Sequence, residues 1–176
     1  MISTVVRVSA KPIRDRKYIN NEYILSVIIL TKCDIGMSSF ENCRNIQTLI
    51  LDVKNIGKYA FKDCKSLHTC NFDNVESISE NAFENCSNLT ELRLNSNLKQ
   101  IGRGAFKGCM PTMILCSQEI YNKYFTNHES RVREELDMRY LFEDVIDITR
   151  YYRINKSMIL FYENYDVSII NIKCFV

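Results

Sequence analysis

Eight cysteines and two histidines are the side chains in this sequence best suited to chemistry, and their spacing decides which chemistry is open to them. Cys64, His68 and Cys70 lie close together, and His68 and Cys70 have the i, i+2 spacing that puts two strand residues on one face. A structural zinc site needs four such ligands, commonly as closely spaced cysteine pairs, and no Cys-x-x-Cys occurs. Catalysis would need titratable groups that converge. The second histidine, His128, is remote in sequence from His68, and there is no Gly-x-Ser-x-Gly elbow, phosphate-cradling glycine loop or His-Glu-x-x-His pair. The expectation is a chain that is not an enzyme and takes no metal or cofactor.

The cysteines instead mark a period. Cys43, Cys64, Cys86 and Cys109 recur at steps of 21, 22 and 23 residues, and Phe40, Phe61, Phe83 and Phe106 recur at the same steps. Five residues before each Phe stands Ile35, Ile56, Ile78 or Ile101, and Ala60, Ala82 and Ala105 directly precede three of the four. After each Cys an LxxLxL step follows, as in Leu89, Leu92 and Leu94. Leu25, Ile28 and Leu30 read as the same step upstream. All length variation falls between that step and the next Ile, where a surface loop absorbs insertions.

One coil of about twenty residues cannot hide its own apolar face, whereas coils stacked at about 4.8 Å share one interior. The fold class is therefore an α/β solenoid with one curved parallel sheet of about five short strands. Tight helical or 3₁₀ turns are expected on its far side, where the small Ala allows close packing. Cys is expected there as a small buried filler, with reduced thiols favoured over disulfides because parallel side chains on stacked coils rarely meet the torsion a disulfide needs.

The segments Ile56-Gly-Lys-Tyr-Ala-Phe-Lys-Asp-Cys-Lys-Ser-Leu, Ile78-Ser-Glu-Asn-Ala-Phe-Glu-Asn-Cys-Ser-Asn-Leu and Ile101-Gly-Arg-Gly-Ala-Phe-Lys-Gly-Cys-Met resemble the BspA-like class of leucine-rich repeats. The resemblance covers about residues 25 to 116. It implies a right-handed solenoid and a family of adhesins, surface proteins and interaction modules.

Open ends of a solenoid need covering, so residues 1–24 are expected as an N-terminal cap, 25–116 as the repeats and 117–176 as an α+β C-terminal cap. Within the N-terminal segment Val5, Val6 and Val8 suit a strand, and Arg14-Asp-Arg-Lys suits a solvated turn. The C-terminal segment reads as short helices from Ser117 and Ser130, then strands at Ile146–Ile148, Met158–Tyr162 and Val167–Ile172. That segment either simply closes the core or forms a distinct functional or oligomerising module.

Charge picks no partner class. Lys and Arg total 23 against 21 Asp and Glu, interspersed, so there is no basic stripe for nucleic acid. No apolar run approaches the roughly 18 residues of a membrane span. The N-terminus lacks the pattern of a secretory signal, which favours a cytoplasmic setting, with cell-surface or non-standard secretion as the alternative. The sequons at Asn85, Asn88 and Asn155 would matter only in that second setting.

What remains is binding. Residues between the apolar positions of each strand are expected on the concave sheet face. The central column reads Ile29, Ile50, Asn71, Arg93 and Ile114, flanked by Thr48, Thr69 and Glu91 on one side and Asp52 and Asp73 on the other. Aliphatic side chains mixed with Arg, Glu and Asp suit a protein or peptide partner better than a sugar, which favours aromatic platforms.

Overall fold

Each coil closes on an aromatic ring, and the rings stack. Tyr18, Phe40, Phe61, Phe83 and Phe106 lie one above another with successive centroids 5.0, 5.2, 5.2 and 5.6 Å apart and ring planes within 15° of parallel. All four Phe side chains are fully buried. Phe72 meets Phe83 and Phe106 edge-on, which suits the ring quadrupoles at that corner. The computed structural model describes residues 4–8, 11–111, 113–117, 119–120, 158–163 and 166–168.

Around this axis runs a parallel-strand β-solenoid. β1 (Thr4–Val8), β2 (Ile24–Ile29), β3 (Thr48–Leu51) and β5 (Thr69–Cys70) stack in one sheet, and β7 (Glu91–Arg93), β9 (Met113–Ser117) and β10 (Met158–Glu163) in a second. A bridge between Asn71 and Arg93 links the two sheets. The five expected strands are β2, β3, β5, β7 and β9, and among the described residues two more strands extend the parallel stack. Both additions come from the ends: β1 lies beside β2, and β10 continues the stack before β11 (Asp166–Ser168) turns back antiparallel to it. A further narrow sheet, β4 (Asn55–Ile56), β6 (Ser77–Ile78) and β8 (Gln100–Ile101), follows the Ile column and is extended by bridges Ile13 to Ile35 and Ile35 to Ile56.

The first coil also begins upstream of residue 25. Ile13 pairs with Ile35 and Tyr18 stacks on Phe40, so the stretch that reads as a solvated turn is the same Ile-to-aromatic arc as in later coils. Tyr in place of Phe and Asn21 in place of Cys hide it. Downstream, the helices expected from Ser117 and Ser130 and the strand at 146–148 lie outside the described residues, except that 119–120 are helical.

The far side of each coil is a turn, as expected, but without the helical or 3₁₀ form expected of it. The reason is backbone conformation. Two residues per coil, two before and two after the aromatic, have positive φ: Arg16, Ser38, Tyr59, Asn81 and Gly104 in one column, Asn20, Asn42, Asp63, Asn85 and Gly108 in the other. A left-handed residue every four breaks any helix. In exchange, alternate N–H groups point at the next coil. Phe40, Phe61 and Phe83 donate to the carbonyls of Ala60, Ala82 and Ala105, each at 2.8 Å, and the flanking positive-φ residues repeat the pattern.

The cysteine column does more than fill space. The thiols of Cys43, Cys64, Cys86 and Cys109 donate to the carbonyls of Tyr18, Phe40, Phe61 and Phe83 at 3.0, 3.3, 3.2 and 3.1 Å, always one coil back. A side chain there must be small and apolar, and must still carry one donor. Burial pushes the Cys43 thiol up to about 11 and Cys116 to about 12, and drives Cys64, Cys70 and Cys86 well above the ordinary value. All seven described cysteines are unbridged.

Two outcomes follow. In the unfolded chain these shifted thiols ionise near the ordinary value of 9.0, while in the folded one Cys43 ionises only at about 11 and Cys64, Cys70 and Cys86 are likewise raised. The stability these thiols confer is therefore complete below pH 9 and lost as pH rises through that window. Denaturant midpoints measured from pH 8 to 11 are expected to fall, with a shallower slope in a Cys86→Ala variant; an unchanged slope would remove the thiols as the cause. A Cβ on Gly108, whose φ is +70°, would sit 2.5 Å from the Asn85 side-chain oxygen, so Gly108→Ala is expected to cost about 1–2 kcal/mol in thermal denaturation.

Candidate partner-binding face

Strand pairing fixes which side chains share the open sheet face. Arg7 lies beside Ile28, Ile28 beside Ile50, Asn71 beside Arg93 and Arg93 beside Leu115. The register of β3 with β5, Thr48 to Thr69 and Leu49 to Cys70, places Asn71 next after Ile50 in the same column. One column to the side run Val5, Ser26, Thr48, Thr69, Glu91 and Met113.

Six of the expected residues come together. Thr48, Ile50, Thr69, Asn71, Glu91 and Arg93 line one depression of about 440 Å³, whose floor adds Leu49 and Cys70. It lies where only the Asn71–Arg93 bridge joins the two sheets. Asp52 and Asp73 follow the inward Leu51 and Phe72 and stand beyond the strand ends.

Two expected residues are elsewhere. Ile29 and Ile114 are fully buried in the core and cannot present themselves to a partner. The cause is a one-residue slip, which turns every side chain of a strand to the opposite face. In β2 the inward set is Ile24, Val27 and Ile29, so Ile28 and Leu30 face out, contrary to the LxxLxL reading of Leu25, Ile28 and Leu30. In the last coil Ile114 pairs with the inward Leu92, five residues after Cys109, where Leu92 itself stands six after Cys86. One residue is missing from that turn, and the face of Met113 and Leu115 flips. Continuing the 22-residue step upstream from Phe40 to Tyr18 would have set the β2 register correctly.

That slip concealed Leu30, which is 66% exposed, and the partly exposed Ile28; Ile50, expected on this face, is 42% exposed and Val5 38%. The face is thus uneven, with the exposed Val5, Leu30 and Ile50 over the first three strands and Asn71, Glu91 and Arg93 on the next two coils.

The polar groups there are largely committed to each other. Asn71 accepts from the Leu51 N–H at 2.9 Å through its side-chain oxygen and donates to Asp73 at 3.0 Å. Arg93 pairs with Glu91 two residues away on the same strand face. Asp52 accepts from the Asn74 amide at 2.9 Å.

The groups with shifted titration are paired or buried. Hydrogen bonds that they donate to Glu80 and Glu84 raise Lys58 and Lys62 above the ordinary ammonium value. Glu76 is lowered by hydrogen bonds from Lys99 and Lys54. Burial opposes the Glu84 carboxylate, but bonds from Lys62 and Asn81 outweigh it and lower its pKa. With the thiols pushed up, every resolved shift moves its group away from neutral pH, the reverse of what a general acid or base needs. Among the described residues, no three His, Cys, Asp or Glu side chains converge on a metal-sized site, and no helix is long and apolar enough to cross a membrane.

Residues 11–131 match the family described as BspA type leucine rich repeat region, in six copies. Three solved structures share the fold. A leucine-rich repeat protein of T. pallidum has 20% identity and a TM-score of 0.59 over 64% of this chain and 58% of that one. A leucine-rich repeat protein from Bacteroides ovatus has 22% identity and a TM-score of 0.57, covering 81% and 41%. A leucine rich cell surface protein from Faecalibacterium prausnitzii has 23% identity and a TM-score of 0.50, covering 64% and 41%. The chain thus spans 58% of the first and 41% of each of the other two. No curated protein matches.

The register is directly testable. Ile114→Asp buries an unpaired charge and is expected to cost more than about 4 kcal/mol in denaturant unfolding, while Ile50→Asp is expected to cost less than about 1 kcal/mol. Equal losses at the two positions would contradict the assignment of faces.

Proposed function

The chain belongs to the BspA-type leucine-rich-repeat family, and from that premise we propose that it is a non-catalytic interaction module that docks a protein or peptide on the outward sheet face. One observation carries the reading: Ile50 stands exposed beside the partly exposed Ile28, with the exposed Leu30 following Ile28 on the same side, next to a depression that a partner side chain could enter. Scattered surface aliphatics need no explanation, but a group on adjacent strands marks an interaction site. Stacked strands also make the face rigid, so a partner binds without first ordering it.

The test is cross-linking and mass spectrometry in the native host, repeated with an Ile28→Ala, Ile50→Ala, Arg93→Ala triple variant. Partner recovery is expected to fall at least about tenfold, as for the loss of two or more interface anchors. Recovery equal to that of the unaltered chain would rule the face out.

A surface-exposed or secreted setting for the same module is the second reading, and the fold neighbour described as a cell surface protein supports it. Glycan on Asn85 or Asn88, or oxidised cysteines, in protein isolated from the host would favour that setting over the cytoplasm.

A further inference from the structure

We propose that the outward face selects an extended segment whose aliphatic side chains are accompanied by lysine or arginine, and that Asp52 and Asp73 read the basic residue. This rests on the face being the docking surface and names what that surface takes.

Ile28 and Ile50 pair in one column, and Leu30 extends the apolar surface towards the strand ends. Coils repeat at about 4.8 Å along the stack, while alternate side chains along a strand stand about 6.6 Å apart. An extended segment laid over the face can therefore seat successive same-side residues against this surface. Its next contact beyond the aliphatic group is with Asp52 and Asp73, on the two coils that follow Leu30.

Those two carboxylates are held but not neutralised. Asp52 accepts one bond from the Asn74 amide and Asp73 one from the Asn71 amide. An amide fixes a carboxylate's direction without cancelling its charge. Among the described residues no cation pairs with either. On the same face Glu91 is treated differently, because Arg93 neutralises it.

Position adds a second contrast. In three other columns acids and bases alternate from coil to coil, with Lys54, Glu76 and Lys99 in one, Lys58 above Glu80 in another and Lys62 above Glu84 in a third. At Asp52 and Asp73, which the register of β3 with β5 puts in one column, two like charges follow on neighbouring coils. A cation bridging them relieves that repulsion, and a partner's carboxylate adds to it. A lysine or arginine therefore gains where serine does not, and glutamate loses.

Three fluorescent peptides sharing an alternating Val-Thr backbone and ending in two lysines, two serines or two glutamates provide the probe, with the full chain titrated in low salt and anisotropy read. The lysine peptide is expected to bind at least about fivefold tighter than the serine peptide, the range of one or two exposed ion pairs, with glutamate weakest. A D52N/D73N variant is expected to level the three while leaving the serine peptide unchanged, and Ile50→Asp to weaken all of them. If the serine peptide binds and Ile50→Asp abolishes it, but lysine gives no advantage or keeps it in D52N/D73N, the selectivity fails and the docking face survives. If none of the three binds, or Ile50→Asp changes nothing, both fail together.

Discussion

Parallel pairing of each coil with the next is the constraint from which the rest follows. It sets a rise of about 4.8 Å, and every side chain then lies that far from its counterpart in the coils above and below. A residue type is tolerated in a column only if it can sit at that distance from another of its kind. Flat rings can, offset-stacked at 5.0 to 5.6 Å. Aliphatic side chains can. Charged groups of one sign repel at that distance, and the Lys54–Glu76–Lys99 column relieves the repulsion by alternating sign.

The same distance explains the cysteines. A carbonyl at each aromatic position faces the next coil and already accepts a turn N–H, as Phe61 does from Cys64 at 3.2 Å. The thiol one coil on brings a second, weak donor without a strongly hydrated group, and it costs little to bury. Serine would supply the donor with a greater desolvation penalty, and alanine would supply none. Asparagine performs a comparable service where the backbone turns left-handed: Asn42 donates to Asn20 at 2.8 Å and Asn85 to Asp63 at 3.1 Å. Asn and Asp tolerate positive φ, and their amides link one coil to the next.

These rules say why the fold was largely legible and the face only partly so. Columns of Ile, Phe and Cys report the period because each is bound to its neighbours, so its identity is restricted at every step. The second column of positive φ was legible in principle, since it holds only Asn, Asp and Gly; the first, with Arg16, Ser38 and Tyr59, was not. The inward corner column of Val53, Val75 and Leu98 was missed because insertions before it vary, although it stands three residues before the next Ile each time. Register at the two ends failed for a related reason. Tyr18 and Asn21 disguise the first coil and a missing residue shifts the last, so Ile29 and Ile114 were assigned to the wrong side.

Outward columns carry no such restriction, and this limits what any repeat pattern says about function. Arg7, Ile28, Ile50, Asn71 and Arg93 share one column with no common chemistry. The stack needs nothing of them beyond strand compatibility. Asn71 is the exception, because its side chain reaches back to the Leu51 N–H beside the single bridge between the sheets and so helps hold the coils together. Where the stack leaves a position free, a departure from bland polar residues has to be maintained by something other than folding. Leu30 at 66% exposure is such a departure: it adds nothing to the interior and raises the risk of aggregation. Function in a solenoid is therefore found by subtracting from the surface everything the coil-to-coil contacts already explain.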